Sequence, residues 1–171
     1  MTGARAGVIA VLLAVLVGLA VAGCGGSNPL DSGLGRFLVR AGEEPGFSVG
    51  KVTVNATQGR ETTNGSEGLE GASGVMVLSS AAAAEAKERE LLRAPVGGGY
   101  SARAFAVPGV PGAKGLLEDS PDQGDNAGVV WVQGRCVLII GDLAVSGTAA
   151  TTPLVSAAQV VYKRTRGLVC G

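Results

Sequence analysis

The sequence contains no histidine, which removes the commonest catalytic base and metal ligand from consideration. Ser-His-Asp and Cys-His catalytic arrangements are therefore excluded. Aromatic residues make up only 4% of the chain, and its formal net charge is +0. Nucleic-acid binding needs a basic surface and usually aromatic side chains on which bases can stack, so we expect no nucleic-acid partner. We also expect no catalytic residue, no metal and no cofactor.

The first 23 residues carry one charge, Arg5, followed by an apolar run from Val8 to Val21. This run is too short to span a bilayer core of about 30 Å comfortably. The run ends in the sequence Val21-Ala22-Gly23-Cys24, which resembles the lipobox of bacterial lipoprotein signal peptides. The resemblance implies that residues 1–23 are removed and that Cys24 becomes the lipid-attachment site. An ordinary secretory signal and an uncleaved membrane helix are the alternatives, and neither needs a cysteine at this position.

Removal of the leader leaves 148 residues, with 13 basic and 14 acidic side chains. A chain of this length corresponds to a single domain with a continuous core. Residues 24–33 are small and polar, which predicts a flexible tether that reaches about 30 Å when fully extended. Residues 34–171 are then the extracytoplasmic domain.

Two further cysteines, Cys136 and Cys170, lie in a chain whose leader directs it to an oxidising compartment. We predict that they form an intramolecular disulfide. Two free thiols, or one thiol paired with a partner protein, are the alternatives. A zinc site is disfavoured because two cysteines without histidine cannot supply a closed set of four ligands.

Period-two alternation and turn residues predict most of the strands. Strands are expected at 47–56, 75–78 and 100–107, with a hairpin within 128–143 that turns at Gln133-Gly134. Residues 58–74 show no sustained period and are predicted to be a hairpin loop or a frayed edge, and residues 116–126 are predicted to be an acidic loop. A two-residue turn at Gln133-Gly134 would place Trp131 opposite Cys136. Both strands of this hairpin are apolar on both faces, which is typical of the centre of a sheet covered by helices.

Helices are expected at three places. Leu34 to Arg40 has a short helical pattern, and Ser79-Ser80 supplies N-caps for a helix over 81–93. Thr152 as N-cap and Pro153 at the first helical position predict a final helix. These elements predict an α+β fold, in which an antiparallel sheet is backed by two or three helices in a single domain.

Four groups of polar residues are candidate sites. Glu118, Asp119, Asp122, Asp125 and Asn126 are predicted to form a solvated acidic loop, with weak calcium binding as the alternative. Ser73 is predicted to be a loop serine, and Glu43 and Glu44 to be surface charges. Lys163, Arg164 and Arg166 complement the dipole of the last helix, or else contact anionic lipid headgroups.

Several segments resemble small actinobacterial lipoproteins. They are Glu44-Pro45-Gly46-Phe47, residues 107–113, the hairpin over 129–140 and the helix that ends in Cys170. The resemblance implies a compact extracytoplasmic domain and supplies no catalytic residues. We therefore expect a non-enzymatic, lipid-anchored cell-envelope protein that binds a protein partner or a ligand outside the cytoplasmic membrane. The alternatives are a carrier of a lipid or other small apolar molecule, and an enzyme that uses carboxylates, arginine and tyrosine in place of histidine.

Overall fold

A computed structural model describes residues 29–31, 33–65, 69–93, 101–119, 125–144 and 151–170. The strands are β1 Phe47–Val54, β2 Gln58–Gly65, β3 Leu69–Val77, β4 Ser101–Phe105, β5 Lys114–Asp119, β6 Asp125–Gln133 and β7 Cys136–Ala144. The helices are α1 Ala81–Leu91 and α2 Thr151–Thr165. All seven strands form one antiparallel sheet in the order β1-β2-β3-β7-β6-β5-β4. The predicted α+β class with an antiparallel sheet is confirmed, and the described chain has two α-helices.

The central strands β6 and β7 bury apolar side chains on both faces, as the apolar hairpin predicted. On one face, Trp131, Leu138 and Ile140 belong to the same cluster as Leu154, Ala158 and Val161 of α2. On the other face, Val130, Val137 and Ile139 belong to the same cluster as Ala84 and Leu91 of α1. We call these the α2 face and the α1 face. Each fully buried side chain of this size contributes roughly 1.5–3 kcal/mol to folding.

Residues 29–46, which we call the N-terminal segment, lie on the α2 face. The segment begins with two 3-10 helices, Pro29–Asp31 and Gly33–Phe37, and the second contacts β1, β2 and β3. A 3-10 turn thus takes the place of the helix expected from Leu34. Leu30, which lies in the region predicted as a tether, is buried in the core. The remaining tether residues, 24–28 and 32, lie outside the described residues, as does the predicted leader.

Two predicted loops are in fact strands. Residues 58–74 form β2 and most of β3, and residues 116–126 contain much of β5 and the start of β6, with 120–124 outside the described residues. The hairpin also turns one residue later than predicted. Gly134 adopts a φ of 63°, which a glycine takes without strain, and Gln133 pairs with Cys136. Trp131 therefore lies opposite Leu138 instead of Cys136.

The last helix is tied to the sheet by a covalent and a polar contact. Cys136 and Cys170 form the predicted disulfide, with their Cα atoms 5.9 Å apart. Gln133 Nε2 donates hydrogen bonds to the carbonyls of Thr165 and Leu168, at 2.6 and 3.3 Å, and so satisfies acceptors at the end of α2. The helix begins at Thr151, so Thr152 lies inside it and is not its N-cap. None of the helices described in this structure is long and apolar enough to span a membrane.

Candidate functional site

Three carboxyl groups from distant parts of the chain are buried together on the α2 face. Glu44 comes from the N-terminal segment, Glu61 from β2 and Asp142 from β7, and each is at most 2% exposed. Glu61 pairs across the sheet with Ser73, and Asp142 interacts with Glu44 through both charge and a hydrogen bond. We call Glu44, Glu61 and Asp142 the carboxyl cluster. Their burial corrects the prediction that Glu44 is a surface charge.

Ser73 connects the carboxyl cluster to the N-terminal segment. Its hydroxyl donates to Glu61 Oε2 at 2.9 Å and accepts from the backbone N–H of Val39, also at 2.9 Å. Ser73 is 1% exposed and lies in β3, so the prediction of a loop serine was wrong. A hydroxyl can donate and accept at once, which lets this serine satisfy two buried groups.

Burial sets the protonation of the cluster. It raises the pKa of Glu61 to about 7, opposed by hydrogen bonds from Ser73 and Gly50 and assisted by the nearby charge of Glu44. Burial also raises the pKa of Asp142 to about 9, and the charge of Glu44 and a hydrogen bond with it add to the effect. At neutral pH the protonated Asp142 therefore donates its O–H to Glu44, because two buried carboxylates in contact repel each other.

Arg164 holds the N-terminal segment against α2. Its guanidinium donates to both carboxylate oxygens of Glu43, at 3.0 and 2.8 Å, and to the carbonyls of Arg36 and Leu38. The side chains of Arg164 and Glu43 are only 21% and 14% exposed. The prediction that Glu43 is a surface charge was therefore wrong. Arg164 lies in the last turn of α2, where a cation complements the helix dipole as predicted, but its guanidinium faces the N-terminal segment and not a solvated surface. Lys163 and Arg166, by contrast, are exposed.

A cleft opens between the N-terminal segment and β1. Its volume is about 570 Å³, and we call it the N-terminal cleft; it is lined by Pro29, Leu30, Asp31, Arg40, Ala41, Val49, Gly50 and Val52. Gly50 also hydrogen-bonds Glu61, so the wall of the cleft adjoins the carboxyl cluster. Ligand pockets are commonly 300–1,000 Å³ in volume, which makes this cleft large enough for a small ligand.

Arg40 is the cation of the N-terminal cleft. Its Nη2 atom donates to the carbonyl of Leu30 at 2.8 Å and lies 3.3 Å from the carboxylate of Asp31. The two side chains are 34% and 62% exposed, so solvent screens their attraction. Val49 and Val52 pack on the core and give the cleft an apolar floor. The cleft therefore combines an apolar surface with an accessible guanidinium.

The acidic residues predicted as a solvated loop are mostly in strands. Glu118 and Asn126 lie opposite each other in β5 and β6, and each is 1% exposed. Asp119 and Asp125 are at strand ends, and Asp122 lies outside the described residues. Within the described ranges, no group of three or more acidic or cysteine side chains could hold a metal ion.

Sequence reasoning missed Glu61 and Asp142 as members of a buried cluster. One signal was available for Asp142, since it is the only charged residue in the apolar strand β7, Cys136–Ala144. A carboxyl in such a strand is buried on one face or the other, and a buried carboxyl needs a partner. Nothing local identifies that partner, because Glu44 lies 98 residues earlier in the sequence.

Comparison with known proteins gives no family or relative from which a role could be transferred. No protein-family model matches the chain, and no curated protein matches it significantly.

Proposed function

We propose that the chain is a non-enzymatic protein of the cell envelope, anchored outside the cytoplasmic membrane by a lipid on Cys24, that binds a ligand or a protein partner. The observation that carries the proposal is the position of the N-terminal cleft. Pro29 lines this cleft and lies five residues after Cys24. A lipid on Cys24 would keep the mouth of the cleft within about 17 Å of the bilayer.

Two other observations support the proposal. The disulfide between Cys136 and Cys170 suits a compartment outside the cytoplasm, where disulfides persist. The carboxyl cluster argues against an enzyme that works through it, because Glu44, Glu61 and Asp142 are at most 2% exposed and no substrate can reach them. Their contacts instead join the N-terminal segment to the sheet.

A carrier of a small apolar molecule is the second candidate, because the apolar residues Leu30, Val49 and Val52 line the N-terminal cleft. Native mass spectrometry of protein extracted from its own membrane distinguishes the two. Extra mass that disappears on denaturation would favour the carrier, whereas its absence would favour a protein partner.

Fatty-acid labelling of cells tests the anchor. We expect the wild-type chain to incorporate a labelled fatty acid and Cys24→Ala to lose the label completely, because no other residue carries the lipid. The double variant Cys136→Ala/Cys170→Ala is the matched control, since it removes two cysteines and leaves Cys24 in place; it should be labelled as the wild type is. Label retained by Cys24→Ala would contradict the proposal.

A further inference from the structure

We propose that the N-terminal cleft binds the headgroup of an anionic phospholipid of the membrane to which the chain is anchored. The inference rests on the proposed function, because it takes the lipid on Cys24 as its starting point. It gives the cleft a specific role, which is to fix the orientation of the domain on the bilayer.

The short reach of the chain before Pro29 keeps the N-terminal cleft near the anchor. Five residues separate Cys24 from Pro29, a span of about 17 Å when fully extended. Pro29, Leu30 and Asp31 line the N-terminal cleft, so the chain enters the domain at the mouth of the cleft. Of the surfaces described in the structure, the cleft is the one nearest to Cys24 along the chain. The anchor therefore holds it close to the headgroups. Phospholipid headgroups are therefore concentrated where the cleft opens.

The charged side chains at the N-terminal cleft suit an anionic headgroup. Arg40 lines the N-terminal cleft, and Lys51 follows Gly50 at the β-bulge of β1 and is exposed. Glu43 is already neutralised by Arg164, which leaves Asp31 as the acidic side chain lining the cleft. The exposed pair between Asp31 and Arg40 is worth little in water, so a phosphate can replace the carboxylate as the partner of the guanidinium.

The apolar floor of the N-terminal cleft favours a lipid as the ligand. Leu30, Val49 and Val52 lie beside the guanidinium, and they suit the glycerol backbone and the first carbons of a lipid better than an inorganic anion. Arginine is favoured for phosphate because its planar group donates two parallel hydrogen bonds. Arg164, for which lipid contact was the alternative prediction, is unavailable because Glu43 and two carbonyls occupy its guanidinium.

Hydrogen exchange on the lipidated full-length mature protein tests the inference. The protein is reconstituted into vesicles of phosphatidylcholine alone, or of phosphatidylcholine mixed with phosphatidylglycerol. We expect peptides that cover residues 29–41 and 47–54 to exchange at least about threefold more slowly in the anionic vesicles, since a bound headgroup suppresses local opening. Arg40→Gln and Lys51→Gln should each reduce this protection. Arg93→Gln, at an exposed residue after α1, is the matched control and should retain it.

The intact mass and the hydrogen exchange test the anchor and the headgroup site separately. The intact mass of each preparation shows whether Cys24 carries lipid. If the lipid is present and exchange is equal in both kinds of vesicle, the headgroup site is wrong while the anchor stands. Protection that survives both Arg40→Gln and Lys51→Gln also overturns the site. A chain without lipid overturns the proposed function, and the inference falls with it.

Discussion

Asp142→Asn is expected to gain stability relative to the wild type as the pH rises from about 4 to about 9, by up to about 1.4 kcal/mol for each pH unit. The physical reason is burial. The pKa of Asp142 is raised to about 9 in the folded chain from an ordinary value of 3.8, so folding favours the protonated carboxyl. An asparagine amide keeps the shape and can donate its N–H to Glu44, as the protonated acid does, but it never ionises.

The sign of the pH dependence follows from this shift. A carboxyl whose pKa is raised on folding gives its full contribution below the unfolded value and loses it as the pH rises through the folded value. Asp142 should lower the stability of the domain as the pH rises from about 4 to about 9, and Glu61 should lower it as the pH rises from about 4.5 to about 7. Asp142→Asn should therefore flatten the decline over its whole range, whereas Glu61→Gln should flatten only the part below about pH 7.

Denaturant unfolding at a series of pH values measures the effect. Glu85→Gln is the control, because Glu85 is an exposed acidic residue on α1 and its replacement should leave the pH profile unchanged. Parallel profiles of stability against pH for the wild type and Asp142→Asn would show that the pKa of Asp142 is not raised in the folded chain.

Loss of the disulfide is expected to cost about 3–4 kcal/mol of unfolding free energy on the chain-entropy model. Cys136 and Cys170 are 34 residues apart in the sequence, so the bond closes a loop that contains all of α2. Without it, the residues after α2 are held to the sheet by the hydrogen bond from Gln133 to the carbonyl of Leu168 and by the packing of Leu168 on the core. The double variant Cys136→Ala/Cys170→Ala removes the bond without leaving a free thiol in the core.

Chemical unfolding with and without reductant measures this cost. The wild type should lose stability when reduced, whereas the double variant should be equally stable in both conditions and close to the reduced wild type. A wild type whose unfolding midpoint does not respond to complete reduction would show that the bond contributes nothing to the fold.

The central hairpin and α1 could be predicted because local signals and tertiary packing agree there. Apolar residues on both faces of β6 and β7 match a position between two helices, and the Ser80 side chain accepts from the N–H of Ala83, as an N-cap does. The disulfide could be predicted because Cys136 and Cys170 are the two cysteines that remain once Cys24 is assigned to the predicted lipobox.

The strand β2 and the part of β3 before Val75 could not be predicted, because their core-facing positions are not the usual apolar ones. Gly59 lies under Leu34, and a Cβ atom there would come within 3.0 Å of the Val75 side chain. Glu61 and Ser73 occupy the next core-facing positions, where Ser73 donates to Glu61 and accepts from the backbone N–H of Val39 in the N-terminal segment. Packing against a distant segment has therefore replaced the apolar alternation on which strand prediction depends.

The carboxyl cluster could not be predicted either, because it too depends on contacts between distant segments. Its three members are separated by 17 and 81 positions along the chain, and only the folded sheet brings them together. The acidic stretch that stands out in the sequence instead became parts of β5 and β6, with Glu118 and Asn126 buried opposite each other. Local acidity therefore indicated neither the position of the cluster nor its burial.

The intact mass of the protein extracted from its own membrane tests the proposed function most directly. We expect a chain that begins at Cys24, carries a diacylglyceryl thioether on that residue, and is lighter by two protons because Cys136 and Cys170 are bonded. A chain that retains residues 1–23, or one that begins elsewhere without lipid, would contradict the anchor and with it the position of the N-terminal cleft at the membrane.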